Sequence, residues 1–246
     1  MVASEAITES KAVKVSSSSV DKIEEVLSKK KHETIPDQGA NVRVKEALRT
    51  RGDEAKRVIN KELQQMLDRK VWVPVTSDRL PHKERQGIIG SSMFLKMKTH
   101  PDDKYKARLV ASGNQQNKGL YDVLSSPTAS TSEVFTVMAI AAHERRHSGV
   151  VDIGGAFLHT DMTTGVKVHM RLDRTMSDFI VVLDPKYAPY RDDKRRVIVM
   201  LKKALHGCVE SAALCYENLR VTLQSLGYKR NSSDICVFKR TARDGV

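Results

Sequence analysis

Apolar residues recur at helical spacing in one early stretch of the chain. Val58, Ile59, Leu63, Met66 and Leu67 fall three and four apart, which predicts an amphipathic helix over 53–69. A short strand is expected over 71–75, ending in a turn region around Pro81. Two runs with strand character, 93–98 and 104–112, flank the turn-prone Thr99-His100-Pro101-Asp102-Asp103, so a β-hairpin is expected there. Its surface is basic, with Lys96, Lys98, Lys104, Lys106 and Arg108. A second helix is expected over 132–146. Ser130 and Glu133 have capping-box spacing, and Val134, Val137, Met138 and Ala141 would share a face. Gly149 breaks that pattern, and 150–153 then reads as a short apolar strand carrying Asp152. Further strands are expected over 166–171, 179–183 and 196–201, a helix over 209–226 stopped by Gly227, and a last strand over 235–239. Helices and strands in this order define the α+β class. No internal repeat interrupts it.

The first 40 residues break the periodicity. They are poor in large apolar groups and hold the runs Ser16-Ser17-Ser18-Ser19 and Lys29-Lys30-Lys31. Such a segment buries too little to offset ordering, so a disordered tail with a short helix near 20–29 is expected. The lysine run reads as a solvated helix end, with a nuclear signal as the alternative. The division expected is a tail or linker over 1–50 and a folded domain over 51–246.

Composition sharpens this picture. The chain has 246 residues, 40% hydrophobic but only 5% aromatic, so its core rests on aliphatic side chains. Three cysteines argue against a disulfide scaffold and for a reducing compartment, hence an intracellular protein of cytoplasm or nucleus. No apolar run reaches the ~20 residues of a membrane helix, and MVASEAITES lacks a signal-peptide core. The formal charge is +12, of which +11 falls on 51–246, where 33 basic face 22 acidic side chains. A basic folded body attracts polyanions, nucleic acid first, although a generic solvated surface would look the same.

Three groups of residues could carry chemistry. His143-Glu144-Arg145-Arg146-His147 has the H-E-x-x-H spacing that puts two imidazoles on one helix face, a zinc-hydrolase arrangement. The motif closes its helix, and its cations also suit a helix C-terminus. No zinc is expected. Asp152 ends an apolar strand and is followed by Gly154-Gly155-Ala156-Phe157, whose glycines would let a phosphate chain approach main-chain N–H groups. The plainer reading is a strand-end Asp capping a turn. Cys208, Cys215 and Cys236 form no C-x-x-C and read as small core hydrophobes.

Taken in order, several segments resemble the reverse transcriptase of copia-type LTR retrotransposons over residues 50–240. They are Trp72-Val73-Pro74-Val75, then Ser91 to Lys98 (SSMFLKMK), then Tyr105 to Gly113 (YKARLVASG) and Ser126-Pro127-Thr128. Val151 to Leu158 (VDIGGAFL), Leu201 to Gly207 (LKKALHG) and Leu226-Gly227-Tyr228 complete the series. The resemblance implies an RNA-directed DNA polymerase acting on a template-primer with deoxynucleotides and Mg²⁺, within a Gag-Pol-type polyprotein and without a membrane. It implies a fold of fingers plus the first part of a palm. Asp152 would be the catalytic metal-binding carboxylate, and the main-chain N–H groups of Gly155 and Ala156 would hold the triphosphate. Phe157 would reject a ribose 2′-OH, Lys106 or Arg108 would meet the phosphates, and His206 and Gly207 would pack nucleotide and template.

Two departures stand out. Where the family reads L-K-Q-S-P-R-x-W after the glycine, this chain has Cys208-Val209-Glu210-Ser211-Ala212-Ala213-Leu214-Cys215, and Glu210 would add negative charge near a polyanion. The family's Asp-Asp hairpin would lie beyond Val246, and Asp192-Asp193, between Arg191 and Lys194, reads as a solvated turn. The chain is therefore expected to be inactive by itself. The competing expectation is a non-enzymatic basic nucleic-acid-binding remnant.

Overall fold

A computed structural model describes residues 41–97 and 105–241. The expected tail helix, the lysine run and the hairpin turn at 99–103 lie outside the described residues, as do Lys98 and Lys104.

The chain is a mixed helix-and-sheet structure. Its order runs β1 (Asn41–Arg43), α1 (Val44–Asp68), β2 (Trp72–Val75), α2 (His82–Gln86), β3 (Ile89–Met97), β4 (Tyr105–Ala111) and α3 (Thr131–His143). It continues through β5 (His169–Leu172), α4 (Arg174–Leu183), β6 (Val197–Leu201), α5 (Ser211–Ser225), β7 (Lys229–Arg230) and β8 (Phe238–Lys239). Among the described residues regular structure is present from Asn41, before the boundary expected at residue 51. β1 pairs with β3, and α1 follows at once, so 41–50 is part of the fold rather than of a tail.

The main sheet has the order β1-β3-β5-β6-β2, with β4 on the other edge of β3. β3 and β4 form the expected antiparallel hairpin, from Ser91 opposite Ala111 to Met97 opposite Tyr105. β3 runs parallel to β5 through Ile89–Met170, and β6 joins β5 to β2 antiparallel. Pro74 is tolerated because β2 is an edge strand with one partner.

α1 covers this sheet. Ala55, Ile59, Leu63 and Met66 are spaced by four and three and are all buried, as the periodicity requires. They pack with Leu95, Leu109, Met170, Leu172, Val197 and Val199 in one cluster. Gly52 bends α1 with φ +44°, a conformation that glycine adopts without a Cβ clash.

Three expected strands come out differently. Residues 179–183 end α4 instead. The Asp173 carboxylate caps that helix by accepting the Met176 N–H at 2.8 Å, and Met176, Ser177 and Ile180 are buried at helical spacing. The β-branched run Ile180-Val181-Val182 looks like a strand in sequence, but the cap and the 3/4 burial pattern decide for helix. Residues 150–153 form no strand, because no described strand lies alongside to supply a ladder. The strand expected over 235–239 shortens to β8, paired only with β7.

Candidate functional site

Strand β4 alternates. Ala107, Leu109 and Ala111 are buried toward α1, while Lys106 and Arg108 are exposed. β4 is also a sheet edge, so alternate N–H groups point away from β3. Two of them are satisfied by other segments. The Leu109 N–H donates to Glu62 Oε1 of α1 at 3.1 Å, and the Ala111 N–H donates to the His206 carbonyl at 2.8 Å.

An open cleft of about 1090 Å³ lies along this edge. One wall is α1, with Arg57, Lys61, Glu62, Gln65 and Arg69. A second is β4, with Tyr105, Lys106, Ala107 and Arg108. The third is the turn from Asp152 to Leu158, with His206 beside it. Of the residues singled out from sequence, Lys106, Arg108, Asp152, Gly155, Ala156, Phe157 and His206 all line it.

Local chemistry explains the third wall. Gly155 sits at φ +65°, the left-handed region, and its built Cβ would lie 3.0 Å from Gln65 Nε2. A side chain there would displace the Gln65 amide and be strained by the positive φ. A short helical turn, Ala156–His159, follows, and Leu158 anchors it in the core. Beyond it Met162 and Ala204 bond to Lys202 and Thr160, and Lys203 pairs with Asp161 at 2.8 Å. The turn is therefore tied down at its C-terminal side. Phe157 and His206 meet edge to face, with ring centroids 4.6 Å apart.

Gly207 lines no part of the cleft. Its built Cβ would come within 2.1 Å of the Ala111 carbonyl, at φ +90°. Gly113 faces it just as closely, since a Cβ there would lie 1.8 Å from the Gly207 oxygen. This pair of glycines lets the 205–208 turn dock on the end of β4, which is what carries His206 to the cleft.

Electrostatically the cleft is basic, with five cationic side chains against the carboxylates of Glu62 and Asp152. Among the described residues, Arg57, Lys61, Lys106 and Arg108 form no ion pair. Burial lowers the His206 pKa, and the charges of Arg108 and Lys106 lower it further. Burial raises that of Glu62, against the Leu109 hydrogen bond and the same two cations.

Glu210 does not face a polyanion as the sequence suggested. It is buried, and its Oε2 accepts from Gln116 Nε2 at 3.1 Å. Gln116 in turn accepts the Val209 N–H at 2.8 Å, so the carboxylate braces the same 205–208 turn from behind. The zinc arrangement does not form either. α3 ends at His143, Glu144 caps it and pairs with Arg146, and Arg145 takes φ +54°, so His143 and His147 share no helix face. The Ser130 cap is as expected, with its hydroxyl accepting the Glu133 N–H at 3.2 Å. Asp192 folds into a turn before β6, accepting the Lys194 and Arg196 N–H groups at 3.0 and 2.8 Å. Cys208 is buried as expected, while Cys215 and Cys236 are half-buried.

Sequence reasoning missed Arg57, Lys61, Glu62 and Arg69. They are polar positions of an amphipathic helix, where solvation is the ordinary fate. Only the packing of α1 on β4 turns them to the cleft.

A basic cleft, walled by a helix, an edge strand and a glycine turn, thus sits in a mixed helix-and-sheet protein. Family comparison names the class further: residues 70–245 match the model of the family "Reverse transcriptase (RNA-dependent DNA polymerase)", and the chain belongs to that family. It is 29% identical over 139 residues to the Retrovirus-related Pol polyprotein from transposon TNT 1-94 of Nicotiana tabacum, covering 56% of this chain and 9% of the relative. It is 27% identical over 188 residues to the Transposon Ty1-DR4 Gag-Pol polyprotein of Saccharomyces cerevisiae, covering 74% of this chain and 10% of the relative. These relatives bear out the copia-type resemblance, and the chain spans about a tenth of their length. No solved structure matches. Among the described residues no helix is long and apolar enough to cross a membrane.

Proposed function

We propose that this chain is the nucleotide-binding part of a copia-type retrotransposon reverse transcriptase, within a Gag-Pol-type polyprotein of the cytoplasm or nucleus. In this reading β3 and β4 are fingers, and the Asp152–Leu158 turn belongs to a palm. The ligands are deoxynucleoside triphosphates and an RNA or DNA template-primer. The observation that carries it is the cleft itself. Lys106, Arg108, Asp152, Gly155, Ala156, Phe157 and His206 come from three separate stretches of chain and line one cavity.

Each residue then has a physical task. Lys106 and Arg108 offset charge on the phosphate oxygens as the phosphoryl group transfers. The N–H groups of Gly155 and Ala156 hold the same oxygens, because the left-handed turn leaves them uncovered. Phe157, braced edge to face by His206, presents an aromatic ring to the sugar and excludes a 2′-OH. Burial, and then the charges of Arg108 and Lys106, lower the His206 pKa, which favours a packing role over an added charge. Gly207 acts through His206 by setting its turn.

The family's magnesium fits these residues only in part. Two-metal phosphoryl transfer needs several carboxylates. Asp152 is exposed and can serve as one ligand, but Glu62 is committed to the Leu109 N–H. No group of three or more His, Cys, Asp or Glu converges among the described residues. On this reading the remaining carboxylates lie outside the described residues.

The test is primer extension on an RNA template by the polyprotein that carries this segment. Asp152→Asn should abolish extension, and Phe157→Ala should raise ribonucleotide incorporation relative to deoxynucleotide. Full extension by the Asp152→Asn protein would refute the reading.

A further inference from the structure

The cations of helix α1 are left without a task by the reading above. Arg57 and Lys61 stand one helical turn apart and line the same cleft as Lys106 and Arg108. All four are exposed, and none is ion-paired among the described residues. The nearest carboxylate on that wall, Glu62, is tied to the β4 backbone. Its Oε1 bond fixes the helix against the strand, so the two basic walls are held at one spacing. We infer that Arg57 and Lys61 are a second pair of phosphate ligands, so that a nucleoside triphosphate is gripped by cations from α1 and β4 together.

Two observations favour a polyphosphate over a nucleic-acid strand as their partner. The cleft is bounded on three sides, by α1, β4 and the Asp152–Leu158 turn, and its volume of about 1090 Å³ suits a nucleotide-sized ligand. Five cationic side chains against two carboxylates also leave the cleft an excess of positive charge, which suits a compact polyanion such as a triphosphate. A strand threading past would place its phosphates in a row along one wall. The inference rests on the cleft being a nucleotide site, and the experiment separates the two claims.

The experiment is calorimetric titration of the full chain with dTTP, dTMP and inorganic tripolyphosphate. The proteins are wild type, Arg57→Gln, Lys61→Gln, the double variant, and Lys106→Gln with Arg108→Gln. Lys56→Gln is the control, since that exposed α1 lysine pairs with Asp53 and lies off the cleft. Circular dichroism melts confirm that each protein folds. We expect each α1 change to weaken dTTP and tripolyphosphate about fivefold or more, to weaken dTMP less, and Lys56→Gln to change nothing. Unchanged dTTP binding in the α1 variants, with loss in the β4 variant, overturns the inference and leaves the nucleotide reading standing. Weakened single-stranded oligonucleotide binding with unchanged dTTP binding also overturns it, making α1 a strand contact. No dTTP binding by wild type removes both claims.

Discussion

Two regions flank the cleft, and they are built in opposite ways. Helix α1 and strands β3–β6 share one buried cluster, with Ile59, Leu63, Leu109, Leu172 and Val197 fully enclosed. Helix α3 buries nothing. Phe135 is 65% exposed and Met138 57%, and the following Val151 is 87% exposed. The basic wall of the cleft therefore stands on the core, while Asp152 stands on a segment with no packing support. On the proposed reading, phosphate binding by the basic wall and chemistry at Asp152 would rest on different parts of the fold. The turn between them is anchored only from Leu158 onward.

The largest effect should come from breaking the packed region. Leu63→Ala or Leu205→Ala removes a fully buried side chain and should cost about 2–5 kcal/mol. Val137→Ala on α3 should cost under about 1 kcal/mol. Urea midpoints decide, and equal costs would erase the distinction between the regions.

A sharper comparison uses two glycines with similar backbone angles. Gly207→Ala combines φ +90° with a Cβ at 2.1 Å from a carbonyl oxygen, whereas Gly227→Ala combines φ +85° with a nearest contact at 3.6 Å. We expect Gly207→Ala to cost about 2–3 kcal/mol and to weaken nucleotide binding, and Gly227→Ala about 1 kcal/mol with binding intact. The same urea titrations and dTTP calorimetry measure both.

Acid should act on the packed side. Burial lowers the pKa of His169, the nearby Lys167 charge lowers it further, and Glu84, 3.6 Å from its Nε2, opposes the shift. His206 is lowered from 6.5 as well, by burial and then by Arg108 and Lys106. Both folded values lie below the unfolded one, so the unfolded chain takes up protons first as pH falls. Stability is complete above about 6.5 and declines below it, until the folded values too are passed. Urea midpoints at pH 7.5 and pH 5 should fall in wild type, and by less when both histidines are glutamine.

Thiol reactivity should give the mildest contrast. Burial, aided by the Glu210 charge, pushes the Cys208 pKa up to about 12. Cys215 and Cys236 are raised without that burial in the core. Mass spectrometry after iodoacetamide at pH 8 should find Cys208 modified last, and only on unfolding.

How much of this was legible in the sequence follows the same division. Where period and core agree, as at Ile59, Leu63 and the 105–111 alternation, pattern alone finds the element. The cleft residues on β4 and at 152–157 were readable through the family resemblance of their segments; local signals alone left Asp152 an ordinary turn cap and Lys106 and Arg108 a basic strand face. Residues 150–153 carry a strand pattern, but pairing is a property of the neighbour and not of the run. The α4 segment failed because a β-branched run is ambiguous until its Asp173 cap and burial face are seen. Arg57 and Lys61 are invisible in sequence, since no local signal separates a cleft-facing cation from a solvated one. Glu210 misled for the converse reason: its charge suggested exposure, and its burial is arranged by Gln116 from a distant loop.

The most direct measurement is photolabelling of the chain with an azido-substituted dATP, followed by peptide mapping. The account predicts saturable labelling of peptides from 57–66, 105–111 or 152–158, displaced by unlabelled dTTP. Displaceable labelling confined to α3 or to α5–β8, or none that dTTP displaces, would contradict it.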